Sequence, residues 1–265
     1  MLRDITLGQY FPGDTVAHRL DPRTKILLVI IFIVGLFNAV GWFSYAFVFM
    51  ITGLCMLVSK IKPKTALKGL KPVIFIIVLT ALLNLFVSDG TPIIEGIGIT
   101  WEGLAKAVMM TVRIILLIVG TFLLTYTTSP MSLTDGLEML LNPLKKIKVP
   151  VHEMAMMMSM ALRFIPTLIE ETDKIMSAQK ARGADFETGG LVQRAKALLP
   201  ILIPLIISAF RRAEDLAVAM ESRCYHGGEG RTRMKQMKMH GIDWIALLFG
   251  AAFLAAIFVM KHFGY

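Results

Sequence analysis

Cysteine is scarce in this sequence, and several motifs that would indicate a catalytic or nucleotide site are missing. Only 2 of the 265 residues are cysteine. Cys55 lies in an apolar run and Cys224 in a basic segment, so we expect neither a disulfide nor a cysteine-based metal site. The motif GxxxxGK followed by Ser or Thr is absent, which excludes ATP binding through a P-loop. The N-terminal segment 1–25 contains no short apolar core, so no cleaved signal peptide is expected.

Apolar residues dominate the rest of the composition. The chain is 55% hydrophobic with a mean hydropathy of +0.67, which indicates an integral membrane protein. Its net charge of +9 is concentrated between the apolar runs. Because the basic residues are not interleaved with stacking aromatic residues, we expect no binding of nucleic acid. The pattern predicts an all-α membrane protein.

Four apolar runs predict about five transmembrane helices. They occupy residues 26–58, 72–88, 103–127 and 242–263. A single span needs about 20 residues. The first run is long for one such span and short for two, so we predict two short or tilted helices that turn near Asn38–Gly41.

Loop charges predict the orientation in the cell membrane. Residues 59–71 contain five lysines and no acidic residue, whereas residues 89–102 contain three acidic residues and no basic one. Lysine-rich loops stay in the cytoplasm, which places the N-terminus there as well. We therefore predict N-terminal transmembrane helices over 1–127, a cytoplasmic helical module over 128–241, and a C-terminal transmembrane helix within 242–265.

The predicted cytoplasmic module is built from long amphipathic helices. Ser132 followed by Asp135 predicts a short helix that ends at Leu141. A second helical pattern begins at Val151, and Gly183 is suited to end it. A third pattern runs from about residue 191 to 224.

Each of the two long patterns ends in a tripeptide centred on arginine. The tripeptides are Ala181-Arg182-Gly183 and Ser222-Arg223-Cys224. A guanidinium can dock on carboxylates and carbonyls of a partner, and small neighbours leave room for that partner to approach. The alternative is a solvated arginine at a helix C-terminus, where its charge favours the helix dipole. The pattern alone leaves both alternatives open.

Two other features also allow two interpretations. Arg113 lies inside an apolar run, where a charge is costly. It either contacts another membrane subunit, or it snorkels to the membrane surface or is paired within the chain. The methionines at 154, 156, 157, 158 and 160 suit a surface that repacks against a partner, but they could also fill a core.

Taken together, these motifs resemble the transmembrane T component of energy-coupling factor transporters, and the resemblance covers essentially the whole chain. The first segments that carry it are His18-Arg19-Leu20-Asp21-Pro22-Arg23-Thr24-Lys25, Asn142-Pro143-Leu144 and Ala161-Leu162-Arg163-Phe164-Ile165-Pro166. The others are Ala178-Gln179-Lys180-Ala181-Arg182-Gly183-Ala184, Glu221-Ser222-Arg223-Cys224-Tyr225 and the run from Gly227 to Arg233. Gly183 has no glycine counterpart in the second tripeptide, where Cys224 stands.

The resemblance implies a non-catalytic coupling subunit of an importer for vitamins or other micronutrients. Its partners would be two cytoplasmic ATP-binding-cassette ATPases, often non-identical, and a substrate-binding membrane subunit. ATP would be bound by the ATPases, so this chain would need no cofactor, metal or catalytic residue. Arg182 and Arg223 would be the anchors on the ATPases.

Two other functions compete with this one. A permease of a conventional ATP-binding-cassette importer would carry its own substrate path, with more polar groups expected in its spans. A membrane enzyme would need a nucleophile paired with a base, or carboxylates clustered within a span. The sequence offers no such motif.

Overall fold

The computed structural model describes residues 10–87, 100–186, 190–227 and 237–263. These residues are helical apart from short connections. They separate into two compact units. We call residues 10–140 and 237–263 the apolar unit, and residues 141–227 the paired-helix unit. Most of the predicted acidic loop and the basic stretch at 228–236 lie outside the described residues. The predicted segment boundaries at residues 127 and 241 remain predictions.

The apolar unit contains eight of the described α-helices. They are α1 Val16–Arg19, α2 Pro22–Asn38, α3 Gly41–Ser59, α4 Pro63–Leu70, α5 Ile74–Val87, α6 Trp101–Thr127, α7 Pro130–Leu141 and α10 Gly241–His262. Four helical segments are long and apolar enough to cross a membrane: 41–59, 63–86, 101–127 and 241–262. Helix α2 is apolar too, but it has only 17 residues. The prediction of an all-α membrane protein is confirmed.

The predicted division of the first apolar run into two helices is also confirmed. Asp21 caps α2 by accepting a hydrogen bond from the main-chain N–H of Arg23, and Pro22 occupies the first helical position. Helix α2 ends at Asn38, and α3 begins at Gly41, which has a φ of +82°. This left-handed conformation is one that glycine adopts without a steric penalty. The chain can therefore reverse direction within two residues.

Most of the lysine-rich segment 59–71 is helical, so its interpretation as a loop is correct only for residues 60–62. Helix α4 starts at Pro63 and is followed by a 3₁₀ turn, Lys71–Val73, which leads into α5. Ala66 and Leu70 are buried, four residues apart on one face. Lys64 and Lys68 therefore lie on an amphipathic helix, whereas Lys60 and Lys62 precede it, and Pro72 lies inside a continuing helical segment.

The core of the apolar unit joins α2, α3, α6 and α10. Its fully or nearly buried apolar residues are Leu36, Ala39, Tyr45, Val48, Leu116, Phe253 and Ile257. Small residues let the helices approach closely: an added Cβ at Gly35 would lie 2.7 Å from the ring of Phe253. Close contact through small residues is typical of helices packed in membranes.

Arg113 of α6 is paired within the chain. Its Nη2 donates a hydrogen bond to the carbonyl oxygen of Ala39 at 3.3 Å. Its guanidinium carbon lies 5.9 Å from the ring centroid of Phe37 and 5.6 Å from that of Tyr45, which are cation–π distances. The arginine therefore satisfies a carbonyl at the turn after α2, so the interpretation as an internally paired side chain accounts for it.

The paired-helix unit contains α8, Val151–Ala181, and α9, Leu191–Glu221, each 31 residues long. The turn before α8 is a 3₁₀ segment, Asn142–Ile147. Helix α7, which precedes it, starts at Pro130 because the hydroxyl of Ser129 accepts a hydrogen bond from the N–H of Ser132. The predicted helix to Leu141 is present, but it is capped by Ser129 rather than Ser132.

Candidate functional site

All six residues of the two arginine tripeptides lie exposed at the C-terminal ends of α8 and α9. They are Ala181, Arg182, Gly183, Ser222, Arg223 and Cys224. Arg182 is the C-terminal cap of α8, and Arg223 directly follows the cap of α9. The last main-chain carbonyls of a helix carry a partial negative charge, which favours a cation at this position. Both guanidinium groups are therefore held at accessible helix ends.

The first helix end owes its geometry to Gly183. This residue has a φ of +87°, the left-handed conformation that commonly ends a helix. The N–H of Gly183 donates to the carbonyl of Lys180 at 3.0 Å, and the N–H of Ala184 donates to that of Gln179 at 3.0 Å. These hydrogen bonds satisfy carbonyls that the last turn leaves free. Gly183 ends α8, as the sequence predicts.

The second helix end repeats this geometry without a glycine. Cys224 has a φ of +55°, so it is left-handed like Gly183. The N–H of Tyr225 donates to the carbonyl of Met220 at 3.1 Å, across the same five-residue interval as at the first end. Each residue of this turn is offset from its counterpart in the first by the interval between Arg182 and Arg223. Cys224 is thus the conformational counterpart of Gly183, which sequence comparison of the two tripeptides does not suggest.

The different residues at these two positions lead to a prediction about stability. A side chain in the left-handed conformation costs about 1–2 kcal/mol. Among the residues that the structure describes, no atom lies within 4 Å of the Cβ that Gly183→Ala would add, so we expect that substitution to change mainly the backbone preference. We expect Gly183→Ala to lower the free energy of unfolding by about 1 kcal/mol and Cys224→Gly to raise it by a similar amount. Denaturant unfolding in detergent measures both changes.

Gly53→Ala is the matched control for this pair. Gly53 also has open space around an added Cβ, but it lies within helix α3, where its φ is not left-handed. Alanine favours a helix over glycine by up to about 1 kcal/mol, so the control should not destabilise the protein. A stabilising Gly183→Ala or a destabilising Cys224→Gly would contradict the shared geometry of the two helix ends.

Helices α8 and α9 are joined by a hydrogen-bonded ion pair. Arg212 Nη2 on α9 donates to Glu171 Oε2 on α8 at 2.7 Å. The hydroxyl of Ser208, one turn before Arg212, donates to the other carboxylate oxygen, Oε1, at 2.6 Å. A hydrogen bond of 3.5 Å from Arg212 Nε to Ser208 Oγ closes the triangle. Both carboxylate oxygens of Glu171 therefore bind α9.

These contacts favour the ionised form of Glu171. The hydrogen bond from Ser208 is the largest cause that lowers the pKa of this carboxyl below its usual value, and the charge of Arg212 lowers it further. Both contacts favour the charged form because each donates a proton toward the carboxylate. The folded-state pKa is depressed, so the contribution to stability is present above the unfolded-state pKa. It is lost as the pH falls through the folded-state pKa.

A second polar cluster joins the N-terminal motif to the ends of α6 and α10. Lys25 Nζ donates to the carbonyl of Thr127 at 2.9 Å and to that of His18 at 3.2 Å. Asp243 is 1% exposed, and its carboxylate accepts the N–H of Asp21 at 2.8 Å and the N–H of His240 at 2.8 Å. These side chains satisfy main-chain groups in three chain segments, which indicates a structural role for the motif.

The methionines that the sequence singled out are accessible in part. Met154, Met157 and Met158 are 55%, 59% and 55% exposed. Such exposure does not fit core filling, and it leaves an adaptable apolar surface on α8.

Sequence reasoning missed Glu171, Ser208, Arg212 and Asp243. A signal was present for one pair, because the interval from Glu171 to Arg212 is the same as the interval between the two tripeptide arginines. No comparable signal marks Asp243, because its partners are main-chain N–H groups rather than charged side chains.

Comparisons with known proteins match this arrangement to one family. The profile of the cobalt transport protein family, CbiQ, matches residues 13–234. A protein of Thermosediminibacter oceani, called energy-coupling factor transporter transmembrane protein EcfT, is 55% identical over 264 residues, 99% of each chain. The chain belongs to this family. Relatives of the same name in Ruminiclostridium cellulolyticum and Bacillus subtilis are 50% and 46% identical over 264 residues, at least 98% of each chain.

Membership of the family confirms the predicted resemblance. The protein is a T component, a transmembrane subunit of energy-coupling factor transporters, and its helices include four that are apolar enough to span a membrane. The relatives are matched over almost their whole length, so the sequence similarity covers both units of the T component.

Proposed function

We propose that this T component transmits ATP-driven motion from two cytoplasmic ATP-binding-cassette ATPases to a substrate-binding membrane subunit. The ATPases bind ATP, and the T component contributes no catalytic residue, cofactor or metal of its own. Each ATPase receives one arginine-tipped helix end, Ala181-Arg182-Gly183 or Ser222-Arg223-Cys224. The transported substrate is a vitamin or another micronutrient.

The equivalence of the two helix ends is the observation that carries this proposal. Helices α8 and α9 have the same length, end in the same hydrogen-bonded turn, and present an exposed arginine directly before the left-handed residue of that turn. Two solvated helix ends would not need matching geometry. A pair of related subunits, each offering the same docking groove, would require it.

The charge pattern supports the orientation of the T component. Helix α4 carries the basic residues Lys64 and Lys68. Basic connections between spans remain in the cytoplasm, so this side of the apolar unit faces the ATPases. We infer a multi-pass protein of the plasma membrane with a cytoplasmic N-terminus.

The exposed apolar residues of α9 fit the second partner. Leu202, Ile203 and Ile206 are each about half exposed, and α8 adds its accessible methionines. Apolar surfaces that remain accessible on a folded chain mark sites of association with proteins or membranes. We assign them to the substrate-binding membrane subunit.

Co-purification tests the proposed function. An affinity-tagged T component is expressed with the ATP-binding-cassette ATPases of the same organism and purified in detergent. We expect two ATPase chains for each T component, and ATP hydrolysis by the complex but not by the T component alone. Failure of every ATPase to co-purify, or ATP hydrolysis by the T component alone, would contradict the proposal.

A further inference from the structure

The ion pair between α8 and α9 lies at the same distance from the C-terminal tip of each helix. Glu171 lies 11 residues before Arg182, and Arg212 lies 11 residues before Arg223. At a rise of about 1.5 Å per residue, each interval is about 16 Å of helix. The contact therefore joins equivalent positions, and the segments from contact to tip are equally long. We call these segments, 172–182 and 213–223, the two arms.

The contact is specific in geometry. Glu171 accepts hydrogen bonds from two side chains of α9, at 2.6 Å from Ser208 and 2.7 Å from Arg212. Both donors lie on one face of α9 because they are four residues apart. Sliding either helix by one turn would separate the carboxylate from both donors. The contact thus fixes the register as well as the distance between the helices.

Its contribution to stability does not explain this arrangement. The side chains of Arg212 and Glu171 are 37% and 25% exposed. Ion pairs that water can reach contribute little to the free energy of folding. A contact that adds little to the free energy of folding but has a specific geometry acts by holding α8 and α9 in one relative position.

We propose that Glu171, Ser208 and Arg212 form the pivot about which α8 and α9 turn relative to each other when the ATPases move their tips. This proposal rests on the proposed function. A fixed pivot at equal distance from both tips converts equal displacements of the two ATPases into equal displacements of the two helices. Glu171, Ser208 and Arg212 are positioning residues, since the anchors on the ATPases are Arg182 and Arg223.

Charge exchange is the first test. Glu171→Arg and Arg212→Glu each place like charges in contact, whereas the double variant restores an opposite pair with its direction reversed. In proteoliposomes containing the complete transporter, we expect each single variant to lower substrate uptake at least about ten-fold. The double variant should recover most of the uptake. Arg211→Glu, a charge reversal at the exposed neighbour of Arg212, is the matched control and should retain it.

Cross-linking distinguishes a pivot from a merely stabilising contact. The reference is the uptake measured for a chain carrying only Cys55→Ala and Cys224→Gly, because Cys224 belongs to the second tripeptide. In that chain, one variant combines Glu171→Cys with Arg212→Cys. The other combines Ser177→Cys with Val218→Cys, which lie six residues nearer to the tips. Both pairs are joined with a bifunctional thiol reagent. The separation at a pivot does not change during turning, so joining the first pair should restore uptake. Joining the second should abolish it.

The outcomes are decisive in both directions. Recovery of uptake after cross-linking the first pair, together with loss of uptake after cross-linking the second pair, supports the pivot. Loss at both pairs, retention at both, or a double charge variant no better than the single ones would overturn it. Co-purification of the ATPases is measured for every variant. If a variant retains the ATPases but its uptake does not follow the expected pattern, only the pivot is contradicted. If the ATPases are absent from the wild-type complex, the proposed function is contradicted.

Discussion

Replacing both tip arginines by alanine is expected to release the ATPases from the T component. Arg182 and Arg223 are exposed in the isolated chain and would each become buried in an ATPase groove. Loss of one buried charged anchor costs about 2–5 kcal/mol of binding free energy. The single variants Arg182→Ala and Arg223→Ala should each weaken the complex. The double variant should lose both ATPases and all ATP-dependent uptake.

Co-purification and uptake in proteoliposomes measure these effects together. Arg211→Ala, which removes an exposed arginine from α9 away from its tip, is the matched control and should retain ATPases and uptake. Unfolding is monitored in parallel, because an exposed arginine should contribute little to stability. Wild-type uptake by the double variant at normal protein levels would contradict the assignment of the anchors.

Asp243→Ala should cause a large loss of stability in the apolar unit. The carboxylate accepts the N–H groups of Asp21 and His240, both at 2.8 Å, and the side chain is 1% exposed. Leaving a buried donor unpaired costs about 1–3 kcal/mol. Two such donors predict a loss of about 2–6 kcal/mol, which corresponds to a decrease of roughly 5–20 °C in the melting temperature.

A graded series tests the reason for this loss. Asp243→Asn keeps one acceptor oxygen and should destabilise less than Asp243→Ala. Asp14→Ala makes the same chemical change at an exposed aspartate and should leave the melting temperature within about 1 °C. Thermal unfolding in detergent compares the three variants. Equal melting temperatures for Asp243→Ala and Asp14→Ala would show that the two hydrogen bonds do not stabilise the fold.

The helices of this protein could be predicted where a local signal marks their ends. Gly183 indicates the end of α8, and the turn at 39–41 follows from the length of the first apolar run. Helix α4 was missed because its lysines suggest a loop, whereas Ala66 and Leu70 bury its other face. A helix this short gives an apolar period too few repeats to stand out against so much charge.

Some parts of the candidate site could likewise be predicted from the sequence, and others could not. Both arginine tripeptides are visible in the sequence because each follows a long apolar period. The pivot is not visible in the sequence, because Glu171 is one of many polar residues on α8. Its partners, Ser208 and Arg212, lie on α9, and only the structure brings them together. The sequence also does not indicate the left-handed conformation of Cys224, which accompanies the hydrogen bond from the N–H of Tyr225 to the carbonyl of Met220.

The equal arms also constrain how the length of this chain can change. Each arm is close to three complete helical turns, so its tip arginine returns to nearly the angular position of the residue at the ion pair. One inserted residue in either arm would rotate its arginine by about 100° around the helix axis. Single insertions or deletions within 172–182 or 213–223 should therefore be incompatible with docking. The two arms must therefore keep the same number of residues, whatever their side chains are.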